Sequence, residues 1–154
     1  MATHNWFECK IRYEKTLENG MNKKVTEPYL VDALSFTEAE ARIIEEMTPF
    51  ISGEFTVSDI KRANYSELFP SDEEAADRWF KCKLYFITSD EKSGAEKKTA
   101  TNVLVQAADL RDAVNKLDEG MKGTMADYQI ASVAETAIMD VYPYSAEPND
   151  KPEV

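Results

Sequence analysis

A chain of 154 residues with 43% hydrophobic and 31% charged residues has the composition of a globular protein, not of a collagen-like, low-complexity or fully disordered one. This length is enough to bury a core without a metal or a cofactor, and we expect neither. The formal net charge of −11 excludes a protein that coats nucleic acid through its overall charge alone.

The N-terminal residues lack the basic start and apolar core of a signal peptide, and no stretch approaches the roughly 20 apolar residues of a membrane span. We therefore expect a cytoplasmic protein with no membrane partner. The two cysteines, Cys9 and Cys82, lie in strand-like segments, which favours buried thiols over a disulfide framework or a metal cage.

An internal repeat is the strongest signal in the sequence. The hexapeptide Trp6–Ile11 recurs as Trp79–Leu84 with identical Trp, Phe, Cys and Lys, and the match extends to Leu68–Pro70, which aligns with Val141–Pro143. This duplication predicts two copies of one ββαβ unit. The expected boundaries are repeat 1 at 5–70, an acidic linker or short helix at 71–78, repeat 2 at 79–144 and a disordered tail at 145–154, in one compact domain overall.

Each copy is predicted to run strand, strand, helix, strand. Alternation places one set of apolar residues of the first strand on the core side, and a Gly-containing turn leads to a second strand at Val25–Ala33 or Thr99–Ala107. The core-side residues are Phe7, Cys9, Ile11 and Tyr13 in repeat 1, and Phe80, Cys82, Leu84 and Phe86 in repeat 2.

A helix follows in each copy, with an apolar stripe from Phe36 to Met47 or from Leu110 to Met121 and with N-capping groups at Ser35 and Asp109. One long strand is expected to close each copy, at Glu54–Phe69 and at Tyr128–Tyr142. The predicted fold class is α+β, an internal duplication with one helix per repeat and a pseudo-twofold axis. Either one continuous sheet or two antiparallel-rich sheets fits the pattern.

The inventory of catalytic groups is thin. The only histidine is His4, in a terminal segment expected to fray, and the sequence holds no phosphate-binding glycine loop, metal-spaced Cys or His cluster, or nucleophile elbow. We expect no catalytic residue, no metal site and no enzymatic activity, although folding can bring carboxylates together in ways that a sequence does not reveal.

The face of each first strand opposite the core interleaves aromatic and basic residues. Alternation places Trp6, Glu8, Lys10 and Arg12 there in repeat 1, and Trp79, Lys81, Lys83 and Tyr85 in repeat 2. Exposed aromatic rings stack on bases and Lys or Arg side chains bind phosphates in several single-strand-binding modules, so this pattern predicts a ligand-binding face. The alternative is that both tryptophans pack in the interior, with Lys stems covering them.

The predicted hairpin tips carry one Lys pair each. These are Lys23 with Lys24 in repeat 1 and Lys97 with Lys98 in repeat 2. They are candidates for phosphate binding, but Lys at an exposed edge also serves to keep a sheet soluble.

The run from Trp6 to Lys10, followed by Tyr29–Arg42, resembles a family of small proteins of unknown function from gut Bacteroidetes and their phages. The resemblance covers about Asn5 to Tyr144. It implies an intracellular protein, and it brings no established activity and no catalytic residue.

Two functions fit these patterns. The first is a non-catalytic module that binds single-stranded nucleic acid, or a nucleotide-like ligand, on the aromatic and basic faces. The second is an acidic protein–protein interaction factor, a phage-type inhibitor or adaptor, which the acidic stretch of Asp72, Glu73, Glu74 and Asp77 supports. Edge strands such as Val25–Ala33 invite pairing with another chain, so a homodimer is a further expectation.

Overall fold

The structure is a computed structural model that describes residues 5–143. His4 and the predicted tail from residue 145 lie outside the described residues. Two compact units are present: the first takes its described residues from Met1–Ala63 and Ile138–Val154, and the second is Asn64–Ala137.

The first unit is a four-stranded mixed sheet, sheet 1, with one helix. Its elements are β1 (Trp6–Thr16), β2 (Asn22–Asp32), α1 (Phe36–Met47), β3 (Phe55–Ala63) and β8 (Val141–Tyr142), and the strand order is β3-β1-β2-β8. The long strands pair antiparallel, whereas β8 runs parallel to β2.

The second unit repeats this plan in sheet 2. Its elements are β4 (Glu67–Phe69), β5 (Arg78–Ser89), β6 (Glu96–Ala107), α2 (Leu110–Gly120) and β7 (Asp127–Glu135), in the order β4-β6-β5-β7. Both hairpin turns use a glycine with positive φ, 83° at Gly20 and 72° at Gly94, a conformation that costs a glycine little. The duplication and the α+β fold class are confirmed, and the pattern resolves into two sheets.

The core of each unit lies between the helix and one face of the sheet, as the alternation predicts. Phe7, Cys9 and Ile11 are fully buried against Ile43 of α1, and their counterparts Cys82 and Leu84 pack with Leu117 of α2. Burial raises the pKa of the Cys9 thiol to about 12 and that of Cys82 to about 11. Both cysteines are free and buried, as predicted.

The helices begin where the sequence predicts. The Ser35 Oγ accepts a hydrogen bond from the Glu38 amide at 3.1 Å, and the Asp109 carboxylate accepts one from the Asp112 amide at 2.8 Å. The apolar stripes are narrower than predicted, because Phe36 is 47% exposed and Leu110 is 53% exposed. Phe36 still packs edge-to-face on Phe7, with 4.9 Å between the ring centroids, so its ring is covered on one side only.

The prediction of one long closing strand per repeat is wrong. β3 pairs with β1 up to Ala63, which lies opposite Trp6 at the start of β1, so no partner strand remains beyond that point. The chain leaves sheet 1 there, and β4 pairs in parallel with β6 of sheet 2. In the same way the run predicted from Tyr128 divides into β7, in sheet 2, and β8, in sheet 1. Each repeat thus supplies a short last strand to the sheet of the other.

Two smaller expectations also change. Residues 71–77 contain a turn, closed by the Ala76 amide donating to the Glu73 carbonyl at 3.0 Å, and not a helical turn. The predicted open edge at Val25–Ala33 is partly covered, because β8 pairs with Leu30 and Val31.

Candidate functional site

Each sheet has a helix-side face and a second face, and the predicted site residues divide between them. The second face carries Trp6, Lys10, Arg12 and Lys24 in sheet 1, and Trp79, Lys81, Lys83 and Lys98 in sheet 2. Lys23 and Lys97 lie on the helix-side faces, because neighbours in a strand point to opposite sides. Each hairpin Lys pair is therefore split, and neither pair forms one phosphate clamp.

The two tryptophans are not exposed aromatic surfaces. Trp6 and Trp79 are each only 4% exposed, and their second-face neighbours Leu30 and Leu104 are fully buried. A base cannot stack on a ring that is buried on both sides, so the prediction of ligand stacking is wrong for both residues. The alternative, that they pack in the interior, is the one that the structure shows.

On the exposed part of the second face of sheet 1, three charged residues of β1 lie opposite a residue of the opposite charge, whereas Arg12 lies between Thr26 and Thr56. Glu8 lies directly opposite Lys61 of β3, and Lys10 lies directly opposite Asp59. Farther along, Glu14 lies opposite Lys24 of β2. Directly opposed side chains in an antiparallel pair are about 5 Å apart at Cβ, close enough for each charge to offset its neighbour.

The same face of sheet 2 has cations without opposed acids. Lys81 lies between Leu104 of β6 and Ala134 of β7, and Lys83 lies between Asn102 and Ser132. Within residues 5–143, neither lysine has a carboxylate within ion-pair distance, and neither do Lys10 and Lys61 of sheet 1, so the two faces differ in the residues that lie opposite their lysines and not in close ion pairs. We call the set Lys81, Lys83, Tyr85 and Lys98 the basic face.

Tyr85 is the aromatic member of the basic face. Its ring is half-buried beside Ala100 and Gln129, and the Lys83 Nζ lies 5.4 Å from the ring centroid. Sequence alternation places Tyr85 on this face but gives no reason to rank it above the tryptophans. Trp79 lies at the buried start of β5, whereas Tyr85 lies in the second half of the strand. This position along the strand is the sequence signal that could have distinguished Tyr85 from the tryptophan.

Sheet 1 carries a different polar cluster on its helix-side face. The Glu27 carboxylate accepts hydrogen bonds from the hydroxyls of Tyr13, at 2.8 Å, and Tyr29, at 3.3 Å, and Lys15 lies 3.8 Å from it. Burial, together with the hydrogen bond and charge of Glu27, raises the pKa of Tyr13 to about 12. These contacts join Tyr13 and Lys15 of β1 to Glu27 of β2.

Comparison with known proteins gives a family but no activity. The model of a family described as "Domain of unknown function (DUF4494)" matches residues 5–144. Searches of curated proteins and of solved structures found no match. Among the described residues, no helix is long and apolar enough to cross a membrane.

Proposed function

Since the chain belongs to the DUF4494 family, whose description gives no function, we propose one from its own residues. The protein is a non-catalytic binding module that takes a short single-stranded nucleic acid on the basic face of sheet 2. Lys81, Lys83 and Lys98 bind phosphates, and Tyr85 stacks on a base.

The observation that carries this proposal is the absence of acids opposite the lysines of β5. In a protein of net charge −11, a lysine on a sheet surface readily has an acid as its cross-strand neighbour, as Lys10 has Asp59. Lys81 and Lys83 face only apolar or uncharged polar residues. Positive groups left unpaired in this way keep their full attraction for a polyanion.

The spacing of these side chains suits a single strand of nucleic acid. Lys81, Lys83 and Tyr85 alternate along one strand, so the outer two lie about 13 Å apart at 3.3 Å per residue. A cationic track beside one aromatic ring is the arrangement by which single strands are bound without strict sequence preference. A duplex hides its base faces and would leave the Tyr85 ring without a partner.

The first test is the salt dependence of binding, measured by fluorescence anisotropy with a labelled mixed-sequence single-stranded oligonucleotide. Three phosphate contacts predict a slope of log K against log salt of about −2. Lys81→Ala with Lys83→Ala should weaken binding about 100-fold, since each charged hydrogen bond contributes roughly 1.5 kcal/mol.

The matched control is Lys10→Ala with Lys24→Ala, two cations on the second face of sheet 1 that each lie opposite an acid. We expect this control to stay within about threefold of the wild type, because Asp59 and Glu14 offset these charges. Equal losses in the two double variants, or a wild type that does not bind at low salt, would refute the proposal.

The role of Tyr85 is tested separately. Tyr85→Ala should weaken binding about tenfold, because stacking of a base on an aromatic ring contributes about 1–3 kcal/mol. Tyr85→Phe keeps the ring and should bind as the wild type does. If Tyr85→Phe loses as much as Tyr85→Ala, the hydroxyl and not the ring is the contact.

A second function, an acidic protein–protein interaction factor of inhibitor or adaptor type, rests on one observation. The linker side chains of Asp72, Glu73, Glu74 and Asp77 are all exposed, and they lie within six residues of one another. Such a stretch repels nucleic acid and suits a basic protein partner. A chain with these four residues changed to Asn or Gln should bind nucleic acid more tightly if the first function holds. It should lose its protein partner if the second does.

A cytoplasmic location and an association with Bacteroidetes and their phages stay predictions.

A further inference from the structure

Gln129 of β7 lies directly opposite Tyr85 of β5, on the second face of sheet 2. Directly opposed side chains in an antiparallel pair are about 5 Å apart at Cβ, so the amide of Gln129 and the ring of Tyr85 lie side by side. Gln129 is exposed, and within residues 5–143 its side-chain amide has no hydrogen-bond partner. The amide is therefore available to a ligand that lies on the ring.

The other flank of Tyr85 is formed by Ala100 of β6, which is exposed. A methyl side chain rises little above the sheet, so a planar base has room to lie over the ring from this flank. Lys83 places its cation 5.4 Å from the ring centroid. Phosphate contacts position a nucleic acid, whereas contacts to base edges select its sequence. Lys83 can supply the first kind of contact, and Gln129 can supply the second.

Sheet 1 has neither the ring nor the amide at the equivalent positions. Arg12 corresponds to Tyr85, and its cross-strand neighbour Thr56 corresponds to Gln129. Thr is a residue that strands favour for its shape, so Thr56 needs no ligand to explain it. The aromatic ring and the neighbouring amide occur together in sheet 2 only, and both are needed to hold a base and to read its edge.

The chemistry of a primary amide indicates which base fits. An amide presents one acceptor and one donor side by side. Adenine offers the complementary pair on one edge, where N6 donates and N7 accepts, and Gln pairs with this edge through two hydrogen bonds. Guanine has two acceptors, O6 and N7, on the same edge, so the amide oxygen would find no donor there. Each pyrimidine offers only one polar group on the equivalent edge.

We propose that Gln129 reads the base that stacks on Tyr85 and selects adenine. The Gln129 carbonyl accepts from N6, and its NH₂ group donates to N7. Gln129 is thus a specificity-determining residue, whereas the lysines of the basic face bind any sequence. This inference rests on the proposed function, because it requires a base on Tyr85.

The preference is measured on the full chain by fluorescence anisotropy, with labelled tetranucleotides that contain three thymines and one variable base. The wild type should bind the adenine tetranucleotide about fivefold more tightly than the guanine one, which is the lower end for a two-bond contact because the site is exposed. Gln129→Ala should reduce this ratio to about one, and it should change binding of the all-thymine tetranucleotide by less than about twofold. Gln129 is exposed, so this substitution should leave the fold intact.

The matched control is Asn102→Ala, which removes an amide on the same face that lies opposite Lys83 and not opposite Tyr85. This variant should keep the ratio of about five. A tetranucleotide with 7-deazaadenine, which lacks the N7 acceptor, should bind the wild type about as weakly as the guanine one does. Gln129→Ala should not distinguish 7-deazaadenine from adenine.

Failure of this inference and failure of the proposed function give different results. If all the tetranucleotides bind the wild type with equal affinity, the basic face stands and Gln129 does not select the base. If none binds at low salt, the proposed function fails and the inference fails with it. If Asn102→Ala lowers the ratio as far as Gln129→Ala does, the assignment to Gln129 is wrong.

Discussion

The second faces of sheet 1 and sheet 2 descend from one repeated pattern, yet Lys10 of sheet 1 lies opposite an acid and neither Lys81 nor Lys83 of sheet 2 does. Glu8, Lys10 and Arg12 in sheet 1 correspond to Lys81, Lys83 and Tyr85 in sheet 2, and the partners Lys61 and Asp59 correspond to Ala134 and Ser132. The strand order and helix are the same in both units. The difference shows that the charge of a sheet face can change across a duplication while its fold is retained.

The helix-side faces differ in a second way. Tyr13 and Glu27 of sheet 1 correspond to Phe86 and Thr101 of sheet 2, so the Tyr–Glu hydrogen bond exists in one unit only. Sheet 1 thus places its polar interactions on the helix side and balances its charges on the second face. On the helix side of sheet 2 the Tyr128 hydroxyl donates instead to Asp118 of α2 at 3.2 Å, and on its second face Lys81 and Lys83 have no opposed acid.

The largest expected effect concerns what the two units share. Trp6→Ala and Trp79→Ala should each lower the free energy of unfolding by about 3–5 kcal/mol, because both rings are buried to the same 4% exposure. Denaturant unfolding followed by circular dichroism measures this loss. A change below about 1 kcal/mol in either variant would show that the ring is exposed in solution and would restore it as a stacking surface.

A smaller effect transfers the charge pattern of one sheet to the other. Ser132→Asp places an acid opposite Lys83, as Asp59 lies opposite Lys10, and should weaken oligonucleotide binding about tenfold. Both positions are exposed, so stability should change by less than about 0.5 kcal/mol.

The reverse change is the control. Asp59→Ser removes the acid opposite Lys10 and should strengthen binding slightly, by making sheet 1 resemble sheet 2. If Ser132→Asp leaves binding unchanged, the unpaired cations of sheet 2 are not the cause of binding.

The smallest effect is a difference in alkaline stability. Tyr13 has its pKa raised by burial and by Glu27, from an ordinary value of 10.0 to about 12, so its neutral form stabilises the native state. This contribution is complete below pH 10 and is lost as the pH rises from about 10 to about 12. Tyr13→Phe should therefore lower the free energy of unfolding by about 1 kcal/mol at neutral pH. Above pH 10 the variant should lose less stability than the wild type does.

Urea unfolding at several pH values measures the alkaline decline. Tyr85→Phe removes a hydroxyl from sheet 2 without removing a hydrogen bond to a carboxylate, and it should keep the wild-type pH profile. A Tyr13→Phe variant whose stability falls as steeply as that of the wild type above pH 10 would contradict the role given to Glu27.

Much of the fold was predictable because its causes are local. Alternation fixed the core side of β1 and β5, and Ser35 and Asp109 marked the helix starts. The exchange of β4 and β8 was not predictable, since both runs are apolar enough to continue a strand. Only the place where β1 begins, opposite Ala63, ends the pairing.

The site was predictable in part for the same reason. Period-two alternation assigns Lys81 and Lys83 to the second face, but it does not show which part of that face is buried. Trp79 is therefore buried and Tyr85 is partly exposed on the same strand. Which residue lies opposite each lysine depends on register and on the bulge beside Lys83, and neither is encoded within a single strand.

The most direct test of the basic face is an amide chemical-shift titration of the labelled protein with a short single-stranded oligonucleotide at low salt. We expect the amides of Lys81, Lys83 and Tyr85 to shift and to recover as salt is added, while those of Lys10 and Arg12 stay unchanged. Shifts in both sheets to the same extent, or in sheet 1 alone, would contradict the assignment of binding to sheet 2.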